Sequence, residues 1–292
     1  MAKSKDKSKT YPQIKNPKKL KPGKKSLAEQ ADILDCYQKS VQAPEHEVEV
    51  FDQVFHQAYK RKALTLREDF CGTFSVCCEW AKSDPKRQAW GVDLCADTLA
   101  WGAEHNRSAL SDDAAERVST LKQDVREGNT PAVDVLAAQN FSFWIFKTRQ
   151  ELLDYFKKAY ANLNKKGVMV LDMMGGKDCY DTDLVEKRTI EKGKKGFKYH
   201  WEQAAYNPVT SDCSFYIHFK FADGSKIKRA FEYHWRLWTL PEIRELLAEA
   251  GFKQSLVYWQ DEDEDDEEEA EWEAVDVIDN DDCWLCYLVA IK

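Results

Sequence analysis

Between residues 63 and 174 the chain alternates short apolar runs with segments whose apolar residues repeat at helical spacing. The runs predict strands over 63–67, 88–93, 118–123, 133–139 and 167–173. The segments between them predict helices over 74–82, 97–106 and 150–163. Strands and helices that alternate in this way form a mostly parallel sheet with helices on both faces. This pattern therefore predicts an α/β fold with a large central sheet.

A different pattern follows the fifth predicted strand. Residues 197–206, 214–221 and 226–237 read as three strands joined by turns at Asn207-Pro208 and Asp223-Gly224. They predict a small antiparallel β insertion over about residues 190–238. A helix over 240–250 follows, with Thr239 as its N-cap and Gly251 at its end. Two last strands are predicted over 252–259 and 283–291.

Two predicted helices precede the first strand. Ser26 and Glu29 have the spacing of a capping box, and they open a helix that ends before Pro44. A second helix covers about 45–62. We expect residues 26–62 to cap a ligand pocket in a main domain formed by residues 63–292.

Charge is concentrated in two segments. The formal net charge is −8, but residues 1–25 hold ten Lys and one Asp, and residues 261–282 hold fifteen acidic residues and no basic one. Such compositions predict a disordered Lys-rich tail and a disordered acidic loop. The tail could simply solvate the protein, or it could contact RNA or another acidic surface.

Nine Cys in a chain without a secretory signal predict reduced thiols and a cytoplasmic location. No run of about 18 apolar residues is present, so no membrane span is expected. Cys283 and Cys286 form a single CxxC pair, which is too few ligands for a zinc site. We interpret this pair, and Cys77 with Cys78, as structural thiols, and we predict no metal.

The turn after the first strand reads LREDFCGTF and contains a single glycine. The dinucleotide-binding pattern G-x-G-x-x-G is absent, so a pyrophosphate cradle is not expected. A cofactor that carries adenosine without phosphates fits better, with Glu68 facing a positively charged group. A purely structural turn remains the alternative.

The next strands also end in polar residues. Asp93 lies 25 positions after Glu68, close to the spacing of a carboxylate that binds ribose hydroxyls. Its alternative role, as N-cap of the following helix, is expected to fall to Asp97. Asp124 follows the third strand, either as an adenine contact or as a solvent-facing turn residue. After the fourth strand, Asn140 stands among aromatic residues where ligands bind in open α/β folds.

Four segments, LREDFCGT, GVDL, QDVRE and AAQNFSFWIF, resemble the ordered motifs of class I S-adenosylmethionine-dependent methyltransferases, with CGT in the first motif. The resemblance covers residues 63–174 well and 197–291 in general layout. It implies a Rossmann-like sheet of seven strands whose last strand is antiparallel. It also departs from the family pattern, because Phe74 replaces the usual last glycine and Phe70 replaces a small residue.

The resemblance implies roles for individual residues. Glu68, Cys71, Gly72 and Thr73 would hold the methionine part of S-adenosyl-L-methionine, and Asp93 would hold the ribose. The residues implied around the adenine are Leu94, Asp124 and Val125, and Asn140 would lie near the methyl group. Phe143, which follows Asn140, is expected to face the substrate.

The β insertion resembles the roof over the active site in small-molecule methyltransferases. If the face that carries His234 and Arg236 points inward, these residues could bind a polar substrate, and His234 could act as a base for an alcohol. Exposed cross-strand pairs are the alternative. Tyr37 on the first helix could close the pocket or simply pack. The sequence thus predicts a methyltransferase for a small polar metabolite, acting on nitrogen or oxygen. The alternatives are an RNA- or ribosome-directed enzyme that uses the basic tail, and a non-catalytic cofactor-binding protein.

Overall fold

The computed structural model describes residues 25–260, 272–279 and 281–292. Its helices are α1 (Leu27–Gln30), α2 (Ile33–Val41), α3 (Pro44–Tyr59), α4 (Ser75–Ser83), α5 (Ala96–His105), α6 (Asp112–Glu116), α7 (Arg149–Ala161) and α8 (Leu240–Ala250). Its strands are β1 (Thr65–Asp69), β2 (Gln88–Asp93), β3 (Val118–Lys122), β4 (Val133–Ala138), β5 (Leu163–Gly175), β6 (Val185–Thr189), β7 (Phe197–Tyr206), β8 (Asp212–Phe221), β9 (Lys226–Arg236), β10 (Gln254–Trp259), β11 (Glu273–Val275) and β12 (Trp284–Ile291).

The described strands form two sheets. The larger has eight strands in the order β11-β10-β12-β5-β4-β1-β2-β3, and β1 to β5 are parallel within it. Strand β12 is antiparallel to both of its neighbours, as predicted for the last strand. The central strand β4 is buried along its whole length, as expected when helices cover both faces of a parallel sheet.

The predicted α/β architecture is confirmed, but the number of strands differs. The sheet has eight strands rather than seven, because β11 pairs with β10 at the edge. This strand lies inside the segment 261–282 that the sequence predicted to be a disordered loop, so that prediction is wrong for Glu273–Val275. Residues 261–271 and the Lys-rich tail up to residue 24 lie outside the described residues.

The smaller sheet has four antiparallel strands in the order β6-β7-β8-β9. Three were predicted. Strand β6 reads VEKRT and is exposed along its whole length, so it carries no apolar alternation and is defined by its pairing with β7. Helices α1 and α2 pack on this sheet, where Cys36 of α2 lies in a cluster with Phe197 and Phe219.

The predicted first helix is in fact two. The capping box of Ser26 and Glu29 opens α1 as expected, but the chain leaves the helix at Ala31 and starts again at Asp32. The carboxylate of Asp32 accepts the N–H groups of Leu34 and Asp35, which is the bonding of an N-cap. Because Asp32 takes the N-cap position of α2, it separates α2 from α1.

Helices cover both faces of the large sheet. Helices α3 and α4 pack on one face, and α7 and α8 pack on the other. The apolar segments around Cys77, Cys78 and Cys286 are buried, as predicted, whereas Cys283 is exposed. Among the described residues, no helix is long and apolar enough to cross a membrane. The same residues contain no cluster of three or more His, Cys, Asp or Glu side chains suited to a metal ion.

Candidate functional site

The glycine turn after β1 meets the end of β2. Gly72 has a φ of +53°, which L residues with a side chain rarely adopt. Its N–H donates to Oδ2 of Asp93 over 2.9 Å. The N–H of Cys95 donates to Oδ1 of the same carboxylate over 2.7 Å. Each carboxylate oxygen keeps a free lone pair, so Asp93 can also accept hydrogen bonds from a diol.

Asp93 and the residues after it have the exposure of a ligand-facing edge. The side chain of Leu94 is 63% exposed, so it is open to a ligand at this edge. Helix α5 begins with Cys95 as its N-cap, and Asp97 lies in the first turn. The expectation that Asp97 is the N-cap is therefore wrong.

The two phenylalanines that depart from the family pattern pack away from the turn. Phe74 is fully buried against α5, where Gly102 leaves room for its ring. A Cβ on Gly102 would lie 2.5 Å from that ring. Phe70 packs on the other face of the sheet, with its ring 5.9 Å from that of Tyr155.

Glu68 lies on the face of β1 toward α4 and is only 4% exposed. Its Oε2 accepts the N–H of Cys77 in the first turn of α4, over 3.2 Å. Burial, against the lowering effect of that hydrogen bond and with a smaller contribution from the charge of Asp93, raises the pKa of Glu68 to about 8. Burial thus favours the neutral acid, and a cation bound beside Glu68 would favour the carboxylate.

Helix α2 covers the same turn. The hydroxyl of Thr73 lies 2.9 Å from Oε1 of Gln38 and 3.1 Å from Oε1 of Gln42. Asn106 donates to the carbonyl of Thr73 over 2.9 Å. Cys71 is buried beneath the turn. The side chain of Thr73 is thus bound by α2, and its role toward a cofactor stays a prediction.

The residues predicted around adenine follow β3. Asp124 pairs with the guanidinium of Arg126, with Oδ2 2.6 Å from Nη2. Val125 is buried, and its carbonyl accepts a bond from Nη2 of Arg67 over 2.6 Å. Because Val125 is buried, only a small part of its surface could contact a bound adenine. Contact of either residue with adenine stays a prediction.

The end of β4 holds a feature that the sequence analysis missed. Asn140 and Phe141 both have positive φ values, near +57° and +55°. Their N–H groups donate to the carboxylate of Asp172 over 2.7 and 2.9 Å. Burial raises the pKa of Asp172 to about 7, although both hydrogen bonds lower it. Asp172 interrupts the apolar run GVMVLDMM within β5, so it lacks the strand-end position that identified Asp93.

Phe143 does not face a substrate. It is fully buried in the core, with its ring 6.2 Å from that of Phe156 on α7. The short helical turn Ser142–Ile145 directs this ring inward, where burial of the whole side chain is worth about 1.5–3 kcal/mol. The prediction that Phe143 contacts substrate is therefore wrong.

The β insertion turns its aromatic face inward, and His234 lies on the outside. Tyr233 and Trp235 pack against the core, with the ring of Trp235 6.0 Å from that of Trp144. The side chain of His234 is 58% exposed, and its Nδ1 lies 3.0 Å from the hydroxyl of Ser214. The larger apolar area on the aromatic face decides the orientation. The prediction of His234 as base and substrate ligand is wrong.

Arg236 is also engaged elsewhere. Its Nη2 pairs with Glu242 over 2.9 Å, and its guanidinium stacks 3.7 Å above the ring of Trp238. The role of Arg236 as a substrate ligand stays a prediction, because the pair with Glu242 of α8 and the stack on Trp238 already engage its guanidinium.

Tyr37 lies where the sequence predicted a pocket closure. Its ring packs 4.6 Å from that of Phe231 on β9, and burial raises the pKa of its phenol to about 12. A hydrogen bond with Tyr233 and the nearby charge of Asp172 also act on that phenol. Tyr37 thus joins α2 to the inner face of the insertion beside Asp172, and contact with a substrate stays a prediction.

A second buried carboxyl group, that of Glu47 on α3, lies near Asp172. Tyr287 on β12 is the direct register partner of Asp172 on β5, and its hydroxyl donates to Oε1 of Glu47 on α3 over 3.0 Å. The other oxygen of Glu47 is buried without a hydrogen-bond partner. Burial, together with the charges of Asp172 and Glu68, raises the pKa of Glu47 to about 8. The helix pattern over 45–62 gave no sign of this role, because Glu47 stands among other acidic residues.

Three solved structures of similar fold were compared with the chain. It is similar to the S-adenosylmethionine-bound amino pentose methyltransferase of calicheamicin biosynthesis from Micromonospora echinaspora, with a TM-score of 0.64 at 15% identity over 89% of this chain and 97% of that one. For DesVI from Streptomyces venezuelae the TM-score is 0.65 at 15% identity, over 90% and 98% of the two chains. For a sugar N-methyltransferase from Streptoalloteichus it is 0.63 at 14% identity, over 96% and 98%.

No protein-family model matches the chain, and no curated protein sequence matches it. At identities this low the similarity establishes the fold. The chain has the Rossmann-like fold of S-adenosylmethionine-dependent methyltransferases, including the antiparallel last strand and the β insertion.

Proposed function

We propose that this protein is an S-adenosylmethionine-dependent methyltransferase that acts on a small polar molecule. The observation that carries the proposal is the meeting of Gly72 and Asp93 at the carboxyl edge of the sheet. A tight turn that exposes its backbone beside a strand-end carboxylate is what an adenosyl ligand requires in this fold. The exposed side chain of Leu94 lies at the same edge.

The buried polar groups near this edge fit such a cofactor. S-adenosylmethionine supplies a methyl group on a positively charged sulfur, which makes it electrophilic without further activation. Glu47, Glu68 and Asp172 are buried carboxylates, and no salt bridge joins any of them to a basic side chain of the described residues. Buried carboxylates without a counter-ion favour a cationic ligand.

In the proposed site Asp93 holds the ribose and Leu94 covers the adenine. The methionine part would contact Glu68 and the turn of Cys71, Gly72 and Thr73. Asp124 and Val125 would border the adenine, and Asn140 would lie near the methyl group. We also propose that residues 26–62 act as a cap on the domain of residues 63–292, and a cytoplasmic location remains a prediction from the sequence.

The insertion supports a small substrate. Its inner face presents aromatic rings, with Trp201 stacked 4.9 Å from Phe215 and Tyr233 4.4 Å from Trp235. Pockets for small molecules are lined mainly by apolar and aromatic side chains with a few polar groups. Similar structures include proteins named for methylation of an amino pentose and of a sugar nitrogen, which supports the same class here.

An RNA-directed enzyme is the second candidate, because the outer face of the insertion is basic. Lys198 and Lys220 are direct partners across β7 and β8, and so are His200 and His218. Burial and the charges of Lys187 and Lys220 lower the pKa of His200 to about 4. Like charges that face each other destabilise a sheet, so an anionic partner would relieve the repulsion.

The two candidates separate in one experiment. The full chain is incubated with methyl-labelled S-adenosylmethionine and either a small-molecule extract or total RNA. The Asp93→Ala variant serves as the inactive control, and a chain without residues 1–25 tests the tail. Label in the small-molecule fraction that both intact and shortened chains transfer supports the proposal. Label in RNA that depends on residues 1–25 supports the second candidate, and no cofactor binding at all supports a non-catalytic protein.

A further inference from the structure

One face of the large sheet carries a row of polar side chains across neighbouring strands. Tyr287 and Asp172 are direct partners between β12 and β5. Ala138 stands opposite Leu171 between β4 and β5, so Gln139, one position further, comes beside Asp172. Side chains alternate between the faces of a strand, and Val135, Val170 and Val289 on these strands all pack toward α3 and α4. Asp172, Gln139 and Tyr287 therefore share that face.

Helix α3 brings Glu47 over this row. Its Oε1 accepts the hydroxyl of Tyr287, and its Oε2 is buried with no partner. Gln139 is only 5% exposed, and both polar atoms of its side chain are also without a partner. A buried amide in this state destabilises the fold unless a ligand or water satisfies it. These orphaned atoms lie on the same face as the carboxylates and point to a missing polar ligand.

The carboxyl groups that the ligand would meet indicate its charge. Asp172 and Glu68 both raise the pKa of Glu47, and no salt bridge joins any of the three to a basic side chain of the described residues. S-adenosylmethionine carries a sulfonium, an ammonium and a carboxylate, so it brings one net positive charge. Glu68, at the glycine turn, is placed to meet that cofactor. Burial keeps Glu47 largely and Asp172 partly protonated near neutral pH, and a second cation bound beside them would favour their ionised forms.

We propose that Glu47, Asp172, Gln139 and Tyr287 form a cation pocket for the methyl acceptor, which is therefore an amine that binds in its protonated form. This inference rests on the proposed function and names the substrate class of its site. Asp172 accepts the N–H groups of Asn140 and Phe141, and these hydrogen bonds favour its ionised form when a cation is bound. Gln139 and the hydroxyl of Tyr287 complete the polar lining.

Glu47 also removes the proton that blocks attack. A protonated amine has no lone pair, so it cannot accept a methyl group. The proton moves from the ammonium nitrogen to the unpartnered Oε2 of Glu47, and the electron pair of that N–H bond remains on nitrogen. The carboxylate becomes a neutral carboxylic acid, which is the form that burial favours. It returns the proton to water when the product leaves.

Two cofactor analogues test the pocket without knowledge of the substrate. In sinefungin a carbon that bears a primary amine replaces the methylated sulfur, so an ammonium stands where the methyl group would be. S-adenosylhomocysteine has no charge at that position. Calorimetry on the full chain should give sinefungin an advantage of about tenfold or more, which Glu47→Gln reduces to near parity. Glu49→Gln, an exposed neighbour on α3, should keep the advantage.

The proton balance gives a second readout. Titrations near neutral pH in two buffers of different ionisation enthalpy should show that sinefungin releases protons from the wild-type protein and that S-adenosylhomocysteine releases fewer. Equal affinity for the two analogues in the wild type, or an advantage that Glu47→Gln leaves intact, would overturn the cation pocket alone. If neither analogue binds the wild type, the proposed function fails and this inference falls with it.

Discussion

The hydroxyl of Tyr287 on the last strand donates to Glu47 on the third helix over 3.0 Å, across 240 positions of sequence. The bond joins α3 to β12 directly beside Asp172, the register partner of Tyr287. Burial and the charges of Glu47 and Asp172 hold the pKa of the Tyr287 phenol well above its usual range. It therefore remains a donor throughout the accessible pH range and fixes one oxygen of Glu47 while leaving the other free.

The raised pKa values of the buried carboxylates predict how stability depends on pH. Glu47 and Glu68 titrate near 8, and Asp172 near 7, whereas each would titrate near 4 in the unfolded chain. Between these values the folded state binds more protons, so the free energy of unfolding contributed by these groups falls as pH rises. Glu47→Gln removes one of them, and its stability relative to wild type should increase from about pH 5 to about pH 9.

Urea unfolding at several pH values checks this prediction. Glu49→Gln is the control, because Glu49 is exposed on the same helix. A stability difference between Glu47→Gln and wild type that stays constant across the pH range would mean that Glu47 is not held in its protonated form by burial.

The contact between α5 and the glycine turn depends on Gly102. In an exposed helix interior, Gly→Ala stabilises by about 1 kcal/mol. Here the new Cβ would lie 2.5 Å from the ring of Phe74 and closer still to the carbonyl of Thr73. We expect Gly102→Ala to destabilise by about 1–3 kcal/mol and to weaken adenosyl binding. Thermal unfolding and calorimetry measure the two effects.

Gly128→Ala is the matched control, since nothing lies within 4 Å of its Cβ position. A Gly102→Ala protein as stable as wild type, with unchanged ligand affinity, would show that Phe74 and the turn can shift without cost.

A buried ion pair supports β1 on the opposite face. Nε of Arg67 lies 2.7 Å from Oδ1 of Asp69, and the hydroxyl of Tyr155 donates to Oδ2 over 2.9 Å. Asp69→Asn leaves the guanidinium as an unpaired buried charge, so we expect a loss of about 3–5 kcal/mol. Chemical denaturation gives the value.

The pair of Arg117 with the exposed Asp113 provides the comparison, because Nη1 of Arg117 also donates to three backbone carbonyls that the replacement of Asp113 would leave in place. Asp113 is 77% exposed, and its replacement by Asn should cost less than about 1 kcal/mol. Similar losses in the two variants would contradict the assignment of Asp69 as the partner of a buried charge.

The sequence predicted the parts of the fold that rest on local patterns. Strand β2 begins and ends where its apolar run does, and the caps at Ser26 and Thr239 lie where their spacing placed them. Strands β6 and β11 were missed because pairing with a neighbour, and not their own side chains, makes them strands. Edge strands of this kind have little signal within their own residues.

The sequence could indicate a candidate site residue where a single polar residue ends an apolar strand, as Asp93 ends β2. His234 was misplaced because alternation shows that two sets of side chains share faces but does not tell which face packs; the rings of Tyr233 and Trp235 decide that. Glu47 could not be found from its neighbours in sequence. Its position depends on Tyr287, which the fold brings to it from the last strand.

Binding of S-adenosylhomocysteine to Asp93→Ala tests the central claim most directly. If Asp93 holds the ribose, loss of two charge-assisted hydrogen bonds of about 1.5–3 kcal/mol each should weaken binding by roughly 100-fold or more. Asp97→Ala, in the first turn of α5, should bind like wild type. Binding to wild type that Asp93→Ala weakens at least 100-fold is the result that we predict. Equal affinity of the two proteins, or no binding to wild type, would contradict the account.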